Sequence, residues 1–198
     1  MIAALYVQTD GCYYGLDGVD PWDEARDARL YAGPHPVVAH PPCNRWAMPL
    51  AKVNETRYGH AVGDDGGCFS AALHAVRAFG GVLEHPANTA AWAAFELPSP
   101  KGYGWHGTFD GAWVCQVSQS TYGHKARKRT WLYVHGCEPP TLDWNEKEPT
   151  ALTSWLQKTT SDLPRLSKRE ASATPLPFRD LLIDIAKSCK TNKLKPCG

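Results

Sequence analysis

Apolar residues in this chain fall into two rhythms, short continuous runs and a three-to-four spacing, and their order outlines a layered protein. Ile2–Val7 is an apolar run read as a first strand, followed by a Gly/Asp-rich turn region at Thr9–Gly18. Pro21–Tyr31, with Asp23, Glu24 and Asp27 near its start, predicts a short helix, and Pro36–His40 predicts the next strand. From Cys68 to Phe79 the apolar residues Phe69, Ala72, Leu73, Val76 and Phe79 recur at three and four, one face of an amphipathic helix that Gly80–Gly81 ends. Val82–Leu83 follows as a buried strand. Val37 to Leu83 therefore reads as strand, helix, strand, the repeating unit of a parallel sheet. Beyond it the pattern predicts a helix near Asn88–Phe95, strands at Trp113–Val117 and Trp131–Val134, and a helix from Pro177 with Phe178, Leu181, Leu182 and Ile185 on one face. Asn44–Gly67 and Leu97–Gly111 read as loops, and residues 136–175 as irregular chain.

The fold class expected from this order is α/β, with a Rossmann-like, mostly parallel sheet in a single domain. Residues 1–135 form the core; residues 136–198 supply an irregular segment, a terminal helix and a basic tail. A length of 198 residues and a 43% hydrophobic fraction suit one globular domain. No apolar run approaches the ~18 residues that span a bilayer, and no basic leader precedes the first strand, so no membrane association and a cytoplasmic location are expected. Seven cysteines, odd in number and scattered, suggest reduced thiols. The net charge of +1 excludes a polycation, but basic residues bunch at Lys125–Arg129, Arg165–Arg169 and Lys187–Lys195, so contact with nucleic acid would be local.

Ligands of a parallel sheet sit at the carboxyl ends of its strands. Cys43 falls there, on the stiff turn Pro41–Pro42, where nearby positive charge such as Arg45 would raise its thiolate share. Glu84 ends the Val82–Leu83 run, where partial desolvation would favour a protonated carboxyl suited to general-acid work. Arg127 and Arg129 alternate into the strand that begins beside Thr130, so both side chains share a face and could hold a phosphate or a carbonyl edge. A buried cysteine, a capping glutamate and a charged edge strand are the plain structural alternatives.

In this order, Pro42–Cys43, Glu84–His85–Pro86, and Tyr122–Gly123 with Arg127 and Arg129 resemble the nucleophile, acid and arginine motifs of the DNA cytosine-5 methyltransferase family. The intervals of 41 and 43 residues from Cys43 to Glu84 to Arg127 also resemble those of the family. The chain looks similar, too, to short phage-type proteins with the His-Pro-Pro-Cys and Glu-His-Pro signatures. The resemblance covers about Pro36 to Val134. It implies a cysteine-dependent transferase acting at C5 of cytosine or a related pyrimidine, in DNA, other nucleic acid or a nucleotide flipped into the site. Cys43 would add to C6, Glu84 would donate at the N3 edge, and Arg127 and Arg129 would hold the base. Asn44, Arg45, His85 and Lys125 would line the substrate, and Asp20 and Pro42 would meet S-adenosylmethionine.

The family's Phe-x-Gly-x-Gly loop has no counterpart in Val7–Gly15, and residues 135–165 are too few for a large target-recognition domain. Two rival readings follow. One is a catalytically inactive methyltransferase-like protein that binds nucleic acid or a protein partner. The other is a zinc site drawn from His40, Cys43, His60, Cys68, His74 and His85, although no Cys-x-x-Cys pair is present.

Overall fold

Seven strands form one mixed sheet in the order β2-β1-β3-β4-β7-β6-β5 in a computed structural model, which describes residues 1–48, 50–153 and 162–190. The strands are β1 (Ile2–Leu5), β2 (Val19–Trp22), β3 (Val37–Ala39), β4 (Gly81–Pro86), β5 (His106–Gly107), β6 (Trp113–Ser118) and β7 (Arg129–His135). The helices are α1 (Leu50–Tyr58), α2 (Cys68–Phe79), α3 (Ala90–Ala94), α4 (Lys168–Ser172) and α5 (Leu176–Ser188). The predicted lysine-rich tail beyond Lys190, with Cys197, lies outside the described residues.

The α/β class holds, but the expectation of a mostly parallel sheet gives way to a half-and-half arrangement. β1 runs parallel to β2 and β3, and β3 to β4; β4 then meets β7 antiparallel, and β7–β6 and β6–β5 are antiparallel too. The cause is the connection between strands. A parallel neighbour needs a long crossover, which α2 provides between β3 and β4. β6 and β7 are joined instead by a short passage through a 3-10 turn at Gln119–Tyr122, which lets the chain only fold back.

Local predictions also change: β5 lies in the predicted Leu97–Gly111 loop and α4 in the predicted irregular stretch 136–175. Pro21–Tyr31 is not a helix: β2 pairs along β1, and only Ala28–Leu30 makes a 3-10 turn, capped by the Asp27 carboxylate accepting from the Arg29 amide. As an edge strand, β2 tolerates Pro21, because an N–H on the outer side has no ladder partner to lose. Within the predicted loop, residues 50–58 form α1. Among residues 51–58 only Ala51 is fully buried, which leaves little apolar stripe there for a periodicity reading to find.

The sheet is covered on both faces. Ala3, Leu5, Val37, Ala39, Leu83, Trp131 and Tyr133 meet Phe69, Ala72, Leu73 and Val76 of α2 and Trp92 of α3. On the other face Ile2, Ala4, Val38, Val82, Leu132 and Val134 meet Phe178, Leu182, Ile185 and Ala186 of α5. The end of α5 is drawn to the exit of β7 by the Lys190 amide on the Gly136 carbonyl, 3.0 Å. There Cys137 and Cys189 are joined as a disulfide, in place of the separate thiols expected. Among the described residues no helix is long and apolar enough to cross a membrane.

Candidate active site

Parallel pairing of β1, β3 and β4 brings their carboxyl ends to one edge, and the antiparallel hairpin adds the end of β6 and the start of β7 to it. Registers Ala39↔Leu83, Pro86↔Thr130 and Ser118↔Arg129 fix the edge. His40 and Cys43 leave β3 here, Glu84 stands on β4, and Gln119 follows β6. Cys43 starts a helical turn: its carbonyl accepts from the amides of Trp46 (3.0 Å) and Ala47 (2.7 Å). Buried Trp46 donates its indole N–H to Asp65 at 2.8 Å, and the same carboxylate accepts from the Phe69 amide at the start of α2. The predicted long loop is thereby tied to the helix that follows it.

Glu84 is the hub. Its Oε2 accepts from His40 Nδ1 at 2.9 Å and its Oε1 from Gln119 Nε2 at 3.2 Å, while the second Gln119 N–H goes to Thr130 Oγ1 at 3.0 Å. Because an ionised carboxylate only accepts, the His40 proton sits on Nδ1 when the ring is neutral, and Nε2 then accepts from the Tyr13 hydroxyl at 2.8 Å. Burial alone pushes the Glu84 carboxyl up. The hydrogen bond and charge of His40, followed by the charges of Lys128 and His85, outweigh it and hold Glu84 at about 2. The protonated carboxyl expected from the sequence is therefore replaced by a carboxylate.

Cys43 is half-buried and feels that carboxylate. Desolvation pushes its thiol up, Glu84 pushes it further, and Lys128 with the local amide pull only partly back. The expected thiolate-rich cysteine is a protonated thiol in this state.

Other site candidates scatter. His85 follows Glu84 directly and so points to the opposite face, buried between Phe69 (ring centroids 5.2 Å) and Trp92 (6.4 Å). Burial lowers it to about 4, and neither ring nitrogen makes a well-formed hydrogen bond among the described residues, although the Pro42 carbonyl favours its protonation. It is a core residue and does not line a substrate site. Arg127 and Arg129 share a side, but both hold Glu146, at 2.6 and 2.9 Å, and Arg127 also reaches Glu148 at 3.2 Å. The cation whose charge acts on both Cys43 and Glu84 is Lys128. Lys125 pairs with Glu170 at 3.5 Å; the Asn44 carbonyl accepts from Asn54 at 2.9 Å, and the Arg45 carbonyl from the Gly63 amide. A depression of about 430 Å³ runs along Arg127 and Glu146 and does not include Cys43 or Glu84.

The carboxylates near the end of β2 are engaged internally. Asp20 takes Arg26 at 2.6 Å and the Trp22 indole at 2.8 Å, and Asp23 takes Thr9 and Tyr14, each at 2.7 Å. Tyr13, buried from the loop after β1, closes down on His40. Asp20, the carboxylate expected to meet S-adenosylmethionine, is engaged by Arg26 and the Trp22 indole, and the loop after β1 is packed onto the strand ends through Tyr13. No group of three or more His, Cys, Asp or Glu suited to a metal ion occurs among the described residues.

Sequence motifs missed Tyr13, Gln119 and Lys128 and gave His40 only a metal-binding role. Their signal is topological: Gln119 and Lys128 face each other where β6 turns into β7, amide to carbonyl at 2.9 Å, and Tyr13 reaches Glu84 only through His40. Comparison with protein-family models, with curated proteins and with solved structures finds no match for this chain.

Proposed function

We propose that the Cys43–Glu84 edge is a pyrimidine site of a cysteine-dependent transferase, working by covalent addition at C6 to open C5 to modification. One observation carries this reading. A cysteine and a carboxylate 41 residues apart in sequence meet at the ends of neighbouring parallel strands, close enough for the charge of one to shift the proton affinity of the other. The thiol starts protonated and the carboxylate, held at about 2, is a weak base, so the proton moves only in concert with attack of sulfur on the ring. Glu84, ionised, takes the thiol proton of Cys43 and passes it to N3 of the ring. The sulfur lone pair forms the S–C6 bond, and the C5=C6 π pair moves onto C5, where a proton from water enters. Reversal breaks S–C6 and releases either C5 hydrogen, so the addition alone exchanges hydrogen at C5 and needs no methyl donor.

His40, held by Tyr13, keeps Glu84 ionised between turnovers, and Lys128 supplies the positive charge assigned by motif to the arginines. The test is deuterium uptake at C5 of cytosine in single-stranded oligonucleotides, with mass spectrometry for an adduct on Cys43 using 5-fluorocytosine strands, with and without S-adenosylmethionine. Exchange that disappears in Cys43→Ala is the expected result; an Ala variant that still exchanges removes the mechanism. Glu84→Gln is expected to slow exchange by a factor on the order of 10² to 10⁴, the range for a general acid–base.

A second reading is favoured by the saturation of Glu84, both of whose oxygens are already engaged. Here the protein is a catalytically inactive binder of nucleic acid or of a protein partner. Tight oligonucleotide binding with neither exchange nor adduct would select it.

A further inference from the structure

The basic ridge that leads into β7 is occupied by the protein's own carboxylates. Glu146 spans two guanidiniums, Oε1 on Arg127 Nε and Oε2 on Arg129 Nε, and Glu148 adds a contact to Arg127. Two oxygens of one anion shared between two forked donors is also how arginine pairs hold a phosphodiester. The backbone beneath these glutamates is pinned independently. Thr121 Oγ1 donates to the Asn145 carbonyl at 2.6 Å, and Ser120 Oγ to the Lys147 carbonyl at 2.9 Å. Side chains can therefore leave the arginines while the segment stays in place.

The adjoining groove has aromatic walls. Tyr103, 72% exposed, and Trp144, its ring edge-on to Trp105, line it together with Arg127, Asn145, Glu146 and Glu148. Arg129 and Gln116 border a smaller recess beside it. Tyr103 is exposed and Trp144 half-buried; aromatic rings next to guanidiniums are what unpaired bases and their backbone require, whereas bases stacked in a duplex cannot reach such rings.

We propose that this groove is a track for single-stranded nucleic acid, in which Glu146 and Glu148 are tethered competitors for the phosphate sites of Arg127 and Arg129. A lone phosphate competes poorly with carboxylates fixed beside the arginines. A strand that adds base stacking on Tyr103 and Trp144 displaces them. The surface thus discriminates for a strand over free anions without any change of fold.

The experiment is fluorescence anisotropy with labelled DNA and RNA strands of about a dozen nucleotides, a length matching a short single-strand site. A duplex of the same sequence and inorganic phosphate serve as competitors. All proteins carry Cys43→Ala, so the result is independent of chemistry at that thiol. Glu148→Gln, on a side chain 88% exposed that cannot disturb the core, is expected to tighten strand binding several-fold. Glu146→Gln with Glu148→Gln should tighten it about tenfold or more at low salt. The slope of log affinity against log salt should steepen by about 1.4, two phosphates' worth for a single strand. Adding Arg127→Gln and Arg129→Gln should erase the gain, and Tyr103→Ala should weaken binding about fivefold or more.

Unchanged affinity and slope in both glutamate variants overturn the proposal, as does duplex binding equal to or tighter than the single strand. Competition by phosphate alone as effective as the strand means a plain anion site and overturns it too. The DNA and RNA arms identify which strand the track takes. Should the double glutamate variant fail to fold, Glu148→Gln and Tyr103→Ala still decide.

Discussion

Adjacent residues on one strand can have opposite fates, and Glu84 and His85 show the consequences for proton affinity. Glu84 faces the polar edge, where His40 and Lys128 overcome burial; His85 faces Phe69 and Trp92, where burial wins. The effect of His85 on stability has a definite sign. The unfolded chain takes up a proton on this ring at about pH 6.5, while the folded protein refuses it until about pH 4. Stability is therefore full above 6.5 and falls as pH drops through that window, by roughly 3 kcal/mol at most. Burial lowers His124 as well, which adds to the same slope. Below 4.5 the loss continues, because the unfolded Glu84 is protonated while the folded carboxylate resists down to about 2. Urea midpoints measured between about pH 7 and about pH 4.5 should fall steadily for the parent and noticeably less for His85→Phe. Parallel pH profiles for the two would show that the ring titrates freely in the fold.

At the level of elements, the closest packing lies where β4 begins beside β3. Gly81 has φ 132° and pairs with Val37, and a Cβ there would lie 2.0 Å from the Val37 carbonyl oxygen. No side-chain rotation relieves a clash with backbone. Gly81→Ala should cost at least about 3 kcal/mol in chemical denaturation, from strain and a broken ladder. A loss under about 1 kcal/mol would mean that the β3–β4 pairing shifts freely. This same β3–α2–β4 unit was the most legible part of the sequence. An apolar run, a three-four stripe closed by glycine, and a second run all record burial directly, so the edge holding Cys43 and Glu84 could be located in advance. Alternation likewise put Arg127 and Arg129 on one side. Their partner could not be read, because Glu146 lies in a segment with no periodicity and meets them only through tertiary folding. α1 was missed because its described side chains, residues 51–58, bury little beyond Ala51. The antiparallel half was missed because strand direction depends on how the chain returns, which side-chain pattern does not encode. His85 was different: period-two alternation already required it to oppose Glu84, and the motif reading overrode that rule.

Across the whole molecule, the C-terminal helix reaches the candidate site through the first loop. α5 buries Phe178, Leu182, Ile185 and Ala186 against the Val38–Val82–Val134 face, which is also the face from which Glu84 projects. Beside Phe178, Arg179 sends Nη1 to the Cys12 carbonyl at 2.8 Å. Cys12 precedes buried Tyr13, whose hydroxyl meets His40, which in turn holds Glu84. A residue of α5 therefore stiffens the start of the Tyr13–His40–Glu84 hydrogen-bond chain. A hydrogen bond from a charged donor contributes about 1.5 to 3 kcal/mol, so its loss should speed local opening by roughly ten- to a hundredfold. Arg179→Met keeps the apolar stripe of α5 while removing that donor. The amides of Gly11 and Tyr14, which close turns on Gln8 and Gly11, should then exchange with solvent faster by that factor, while amides in β3 and β4 keep their parent rates. Equal exchange at Gly11 and Tyr14 in variant and parent would mean that the loop is held by Tyr13 and Asp23 alone, with α5 serving only to cover the sheet.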